Sequence, residues 1–198
     1  MLGQLAAKIV DWQVDRGTLT REDEAVYRYA YELLLNQMIN LILAGLVAFL
    51  FRAPMTVALF LLCYIPLRSY SGGYHADTNI GCTVLSTLLI GGVCYSAQAA
   101  ESNILKWYPV LYIISGIIIC FLAPVQDHNK PLDDLEKTRY RKRSRLIWGI
   151  EVIGGILLHF WKKRLGFVVG ISHMILAGTL IAGMLKNKRI EKRIEKNI

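Results

Sequence analysis

Cysteine is scarce in this chain, with four in 198 residues: Cys63, Cys82, Cys94 and Cys120. No two form a CxxC pair or stand at metal-ligand spacing, so no structural disulfide, metal site or cofactor is expected. Cys63, Cys94 and Cys120 lie well inside apolar runs, where a free cysteine serves as a small hydrophobe. Missing too is an uninterrupted apolar core near the N-terminus, where Lys8, Asp11, Asp15 and Arg16 intervene, so no cleavable signal peptide is expected. The strict apolar–polar alternation of a membrane barrel is absent. There is no internal repeat and no linker composition, which leaves a single domain. Acidic residues are few, 15 against 23 Lys and Arg.

Apolar residues, by contrast, make up 54% of the sequence. Runs near the ~20 residues that carry a helix across ~30 Å of hydrocarbon recur from about position 33 onward. The spans read as 33–51, 55–67, 80–99, 107–125, 146–161 and 167–185. The expected fold is therefore an all-α membrane protein: a polytopic bundle of about six transmembrane helices in one integral membrane domain over 1–198. Within it, residues 1–20 form an N-terminal segment, 33–185 the bundle and 186–198 a basic tail. Leu2, Leu5, Ile9 and Trp12 recur at helical spacing, as in an amphipathic helix lying in the headgroups or an ordinary packed first helix. Thr20-Arg21-Glu22-Asp23 fits a capping box opening the next helix at about 21. Arg52-Ala53-Pro54 reads as a tight turn. Pro66 suggests an irregular end to the second span, and 126–145 reads as a long charged loop.

The net charge of +8 reads as the positive-inside bias of a membrane protein rather than as a nucleic-acid footprint. With the N-terminus in the cytoplasm, the 68–79 loop, the basic 126–145 segment and the tail all face inward. Lys162-Lys163-Arg164 is the one loop that disagrees with this orientation, which puts it outside. Gly91-Gly92 and Gly154-Gly155 permit close helix contacts, as a homodimer would need.

Chemistry-bearing residues concentrate between the second and third spans, in Arg68-Ser69-Tyr70-Ser71-Gly72-Gly73-Tyr74-His75 and on to Cys82. A thiol becomes a nucleophile as its thiolate. Asp77, Thr78 or Asn79 can cap the third span, placing Cys82 near the positive end of a helix. His75 can take the thiol proton. On one continuous helix the two would stand ~10 Å apart along the axis. The catalytic reading therefore requires that 75–80 not be plain helix, and Gly72, Gly73 and Gly81 allow the chain to fold back. Arg68 reads as an anchor at the membrane interface, or as a clamp for a substrate carboxylate or oxyanion. Asp77, Asp127 or Asn129 could orient His75. Glu151, His159 and His173 fall inside spans, as interhelical hydrogen bonds or as a polar path. The run Arg139-Tyr140-Arg141-Lys142-Arg143-Ser144-Arg145 reads as an anchor to anionic lipid or a dock for an acidic peptide.

The pattern Arg68-x-Tyr70-x-Gly72-Gly73-x-His75-x6-Cys82 ahead of a membrane span resembles the accessory gene regulator protein B (AgrB) family. These are membrane cysteine endopeptidases that process quorum-sensing propeptides. The apolar runs, the N-terminal segment, Ala123-Pro124 and Asn129-Lys130-Pro131 extend the likeness over nearly the whole chain. The resemblance implies a multi-pass protein of the bacterial cell membrane with its site at the cytoplasmic face. It implies Cys82 as nucleophile and His75 as base, with Arg68 and Gly73 at positions the family uses for activity. The implied partner is an AgrD-type precursor held at the lipid bilayer, and the implied product a cyclic thiolactone or lactone peptide. Two readings of other classes stand beside it: a non-enzymatic peptide exporter or membrane adaptor, and a cysteine-dependent acyltransferase.

Overall fold

The last apolar run of the sequence forms the central helix of the molecule. In this computed structural model, residues 2–74, 76, 78–126 and 132–196 are described. His75, Asp77, Asp127, His128 and Asn129 lie outside them. The described chain forms helices α1 (Leu2–Asp15), α2 (Glu24–Leu50), α3 (Pro54–Ser71) and α4 (Asn79–Ala99). A single turn, α5 (Ser102–Leu105), leads to α6 (Tyr108–Leu122), α7 (Asp134–Trp161) and α8 (Lys163–Lys196). Helix α8 packs against α3, α4, α6 and α7.

Three described helices are long and apolar enough to cross a membrane: α2, α4 and α8. Of their most apolar stretches, 11%, 22% and 56% respectively is buried within the protein. Helix α8 is thus the interior helix, while α2 and α4 turn most of their apolar surface outward, where hydrocarbon can cover it. Phe49, Phe121 and Phe160 are 84, 82 and 82% exposed on that outer surface. The shorter apolar helix α6, together with α3 and the second half of α7, completes the bundle. The fold is all-α and of membrane type, as the sequence implies.

Several local expectations need correction. Helix α2 starts at Glu24, without a capping box. Thr20 Oγ1 donates to Asp23 Oδ2 at 2.8 Å, which engages the carboxylate that would otherwise cap the helix. Helix α3 runs unbroken through Pro66 to Ser71. The supposed 126–145 loop is much shorter, because its basic run is already helix α7. Asp133 accepts from Glu136 N at 2.6 Å while Glu136 accepts from Asp133 N at 3.3 Å, a reciprocal capping box that starts the helix despite its charge. On α1 the buried residues are Ala6 and Val10, with Leu5 and Trp12 exposed. Arg28 holds α1 to α2 by an ion pair to Asp11 at 3.1 Å.

The two ends of the bundle are distinct. One end gathers α1, the starts of α2, α4 and α7, the ends of α3 and α8, and residues 123–126. Asn79 Nδ2 donates to Glu32 Oε1 at 2.9 Å, and Asn187 Nδ2 to the Gln126 carbonyl at 2.7 Å. The opposite end holds the 51–54 turn, where Arg52 takes φ +50° and Gln98 Nε2 reaches the Phe51 carbonyl at 2.5 Å. A cluster of Ala100, Leu105 and Phe167 packs there as well.

Candidate active site

Helix α3 ends where two glycines take backbone angles that side-chain-bearing residues avoid, φ +69° at Gly72 and +121° at Gly73. Sterics demand glycine here as well. A Cβ on Gly72 would overlap the Val125 carbonyl oxygen, and one on Gly73 would overlap Arg68 Nη1. The chain then runs beside Val125, bonding in both directions: Val125 N donates to Ser71 O at 2.9 Å, and Gly73 N to Val125 O at 3.2 Å. Tyr74 N donates to the Thr179 carbonyl of α8 at 2.8 Å.

Arg68, in the last turn of α3, closes over this loop. Its Nη1 donates to Gly72 O at 2.6 Å and to Thr179 Oγ1 at 3.1 Å, and its Nη2 donates to the Tyr74 carbonyl. The planar fork of an arginine suits several acceptors at once. The guanidinium therefore ties the loop to α3 and α8.

Beyond Tyr74, the described residues Ala76 and Thr78 are not helical, and α4 starts at Asn79. The break in helix that the catalytic reading requires is present at these positions. The chain also turns back on itself: a Cβ built on Gly81 would lie 3.3 Å from Ala76 Cβ. Thr78 caps α4 through its hydroxyl, which accepts from Gly81 N at 3.1 Å. Cys82 N follows with a bond to Thr78 O at 3.0 Å. The half-buried Cys82 thiol thus stands near the N-terminus of α4, where the helix dipole favours an anion. Helical periodicity puts it on the same face as Val93 and Ala97, both buried, so it turns toward the bundle. Of the residues expected at the site, Arg68, Gly73 and Cys82 lie at one end of the molecule. His75 and Asp77, like Asp127 and Asn129, are outside the described residues.

Sequence reasoning missed the contribution of α8 and of Val125. Thr179-x-x-x-Gly183 was the available signal, two small residues one turn apart inside an apolar run. The basic run of α7 also borders the loop, with Arg143 over the Tyr70 ring at 5.2 Å and donating to its hydroxyl at 3.3 Å. Lys186 of α8 lies over the Tyr74 ring at 5.3 Å.

Deeper in the bundle, Glu151 and His173 pair at 2.7 Å between α7 and α8. His159 stacks on Tyr108 with ring centres 3.6 Å apart. No group of three or more His, Cys, Asp or Glu among the described residues is arranged to hold a metal ion.

Comparison with known proteins adds to this geometry. A family model described as Accessory gene regulator B matches residues 4–185, nearly the whole chain. The chain belongs to the AgrB family. Its relatives include a protein of Clostridium perfringens (strain SM101 / Type A) named as AgrB-like, 25% identical over 83% of this chain and 85% of the relative. AgrB-like proteins of Lactiplantibacillus plantarum and Halalkalibacterium halodurans are 22% and 27% identical over 87% and 81% of the chain, and 85% and 76% of their own lengths. No solved structure matches this chain. Membership of the AgrB family ties the protein to the agr quorum-sensing system.

Proposed function

We propose that this AgrB protein is a multi-pass cysteine endopeptidase of the cell membrane that removes the C-terminal tail of an AgrD-type precursor at the cytoplasmic face. The observation that carries the reading is the position of Cys82: a half-buried thiol at the start of α4, at the same bundle end as the Arg68-bound loop that leads into His75.

In this mechanism His75 takes the Cys82 proton, and the thiolate attacks the scissile carbonyl carbon. A C–S bond forms, the C–N bond breaks, and the departing amine of the tail takes the proton back from His75. The remaining peptide is held on Cys82 as a thioester. A thiol or hydroxyl of that same peptide then attacks the thioester carbonyl, its proton passing through His75 to the departing Cys82 sulfur, and the C–S bond to Cys82 breaks as the thiolactone or lactone ring closes. Because this attack is intramolecular, positioning gives it a high effective concentration over water. Amide-to-thioester exchange is uphill, so removal of tail or product drives the reaction forward. Arg68 and Gly73 act on the loop, and Asp77 is the near candidate for orienting His75.

Co-expression with an AgrD-type precursor peptide tests the assignment. Tail release should be present in the wild type and fall to background in Cys82→Ser and in His75→Ala. Undiminished release in both variants would exclude a cysteine endopeptidase.

The Glu151–His173 pair favours one alternative, an exporter whose polar path crosses the bundle. That reading expects transport into inverted vesicles to survive Cys82→Ala and to fail in Glu151→Gln. The two groups bond to each other across α7 and α8 at 2.7 Å, which is what a structural interhelical bond would do.

A further inference from the structure

We propose that Thr179 and Gly183 of α8 are positioning residues for the catalytic loop; the proposal rests on the endopeptidase reading and names what sets that site's geometry. Neither residue belongs to the Arg68–Cys82 motif, and neither needs to touch the peptide. Together they form the surface on which Gly73 and Tyr74 lie, immediately before His75 in the chain.

Thr179 contributes two acceptors. Its main-chain carbonyl takes the Tyr74 N–H at 2.8 Å, and its hydroxyl takes Arg68 Nη1 at 3.1 Å. The hydroxyl donates its own proton to the Leu176 carbonyl at 2.8 Å, so its lone pairs are left to face the guanidinium. One residue of α8 thereby fixes both the loop and the arginine that clasps it.

Gly183 makes the first of these bonds reachable. Side chains on a helix lean toward its N-terminus, so the residue at i+4 normally shields the carbonyl at position i. Position 183 stands in that relation to Thr179. A Cβ there would sit 2.7 Å from both Gly73 C and Tyr74 N, inside the space the loop occupies. Both opposing atoms are backbone, so no side-chain rotation could relieve the overlap. Because the glycine leaves the carbonyl of Thr179 uncovered, an irregular segment can donate a hydrogen bond to the side of a continuous helix.

The test uses the full-length chain in nanodiscs of phosphatidylcholine and phosphatidylglycerol. The first probe is iodoacetate, with carboxymethylation of Cys82 followed by peptide mass spectrometry at pH 7 and at pH 9. The ratio of the two rates reports how well the thiolate is supplied at neutral pH. The second is tail release from the precursor, resolved into kcat and KM. Thr179→Val, which keeps the shape and removes the acceptor, should lower the pH 7 to pH 9 ratio and kcat by about tenfold, with KM within about twofold. Thr179→Ser should restore both, and Gly183→Ala should fall at least as far as Thr179→Val. A Thr179→Val protein with an unchanged ratio overturns the proposal, whether or not its turnover falls, because turnover lost without a change in thiolate supply acts elsewhere. Failure of the underlying reading looks different. It appears as tail release that persists in Cys82→Ser, or as a carboxymethylation ratio that His75→Ala leaves unmoved, whatever happens at Thr179.

Discussion

Arg68 shows how a residue's role depends on what its side chain meets. By position alone it could anchor a helix end or grip a substrate. Its guanidinium holds Gly72 O, Tyr74 O and Thr179 Oγ1. Lysine, a point donor on a flexible stem, cannot span those acceptors at once. Arg68→Lys should therefore lower tail release by about tenfold or more while immunoblots of the membrane fraction show normal amounts of protein. Undiminished release would mean that the loop keeps its shape without the fork. Gly73→Ala meets two obstacles together, the φ of +121° and the overlap with Arg68 Nη1, and should be more severe than Arg68→Lys. Arg68, Gly72, Gly73 and Cys82 stand out in the sequence as candidates because they share one short stretch. Thr179 does not, since it lies 111 residues from Arg68 and its local signal, two small residues one turn apart, does not say what packs there.

At the scale of the helices, the boundaries set by apolar length were readable, and those set by capping were less so. Helix α4 begins within one residue of the expected 80, because Thr78 caps a plainly apolar run. The start of α7 was obscured by its charge, since a basic stretch reads as loop until its N-terminal signal is weighed. That signal is Asp133-x-x-Glu136, with both bonds of the box formed. Asp133→Ala should cost about 1 kcal/mol and fray the first turn. Hydrogen exchange should speed up at 134–138 and stay unchanged at 150–158; uniform exchange along the helix in both proteins would count against a working cap. The difference at Pro66 has a simpler origin. In an apolar bundle, neighbouring helices can satisfy the backbone groups that a proline leaves free, and α3 packs against α2, α4, α7 and α8.

For the whole molecule, the alternation of helices brings the N-terminus, the Gly72–Tyr74 loop, residues 123–126 and the end of α8 to one face. Introduced cysteines at Lys188 and Lys162 should therefore label from opposite sides of a sealed vesicle. Labelling from the same side would discard this arrangement and, with it, the proposed cytoplasmic placement of the site. The Glu151–His173 pair lies between α7 and α8, with the side chains only 11% and 1% exposed. Removing one partner leaves a polar group stranded in an apolar bundle. His173→Ala should lower stability by about 1–3 kcal/mol, read as an earlier thermal transition in detergent, whereas Glu151→Gln keeps a hydrogen-bonding partner and should lose less.

The pairing of Gly72 with Val125 has a consequence for how the polypeptide could be divided. The excursion through α4, α5 and α6 departs and returns at a single stapled point, and its two long helices each lie on α8. Covalent continuity across the far connection at residues 100–107 is then dispensable. Two co-expressed fragments parted there should find one another in the membrane, co-purify, and still release the precursor's tail.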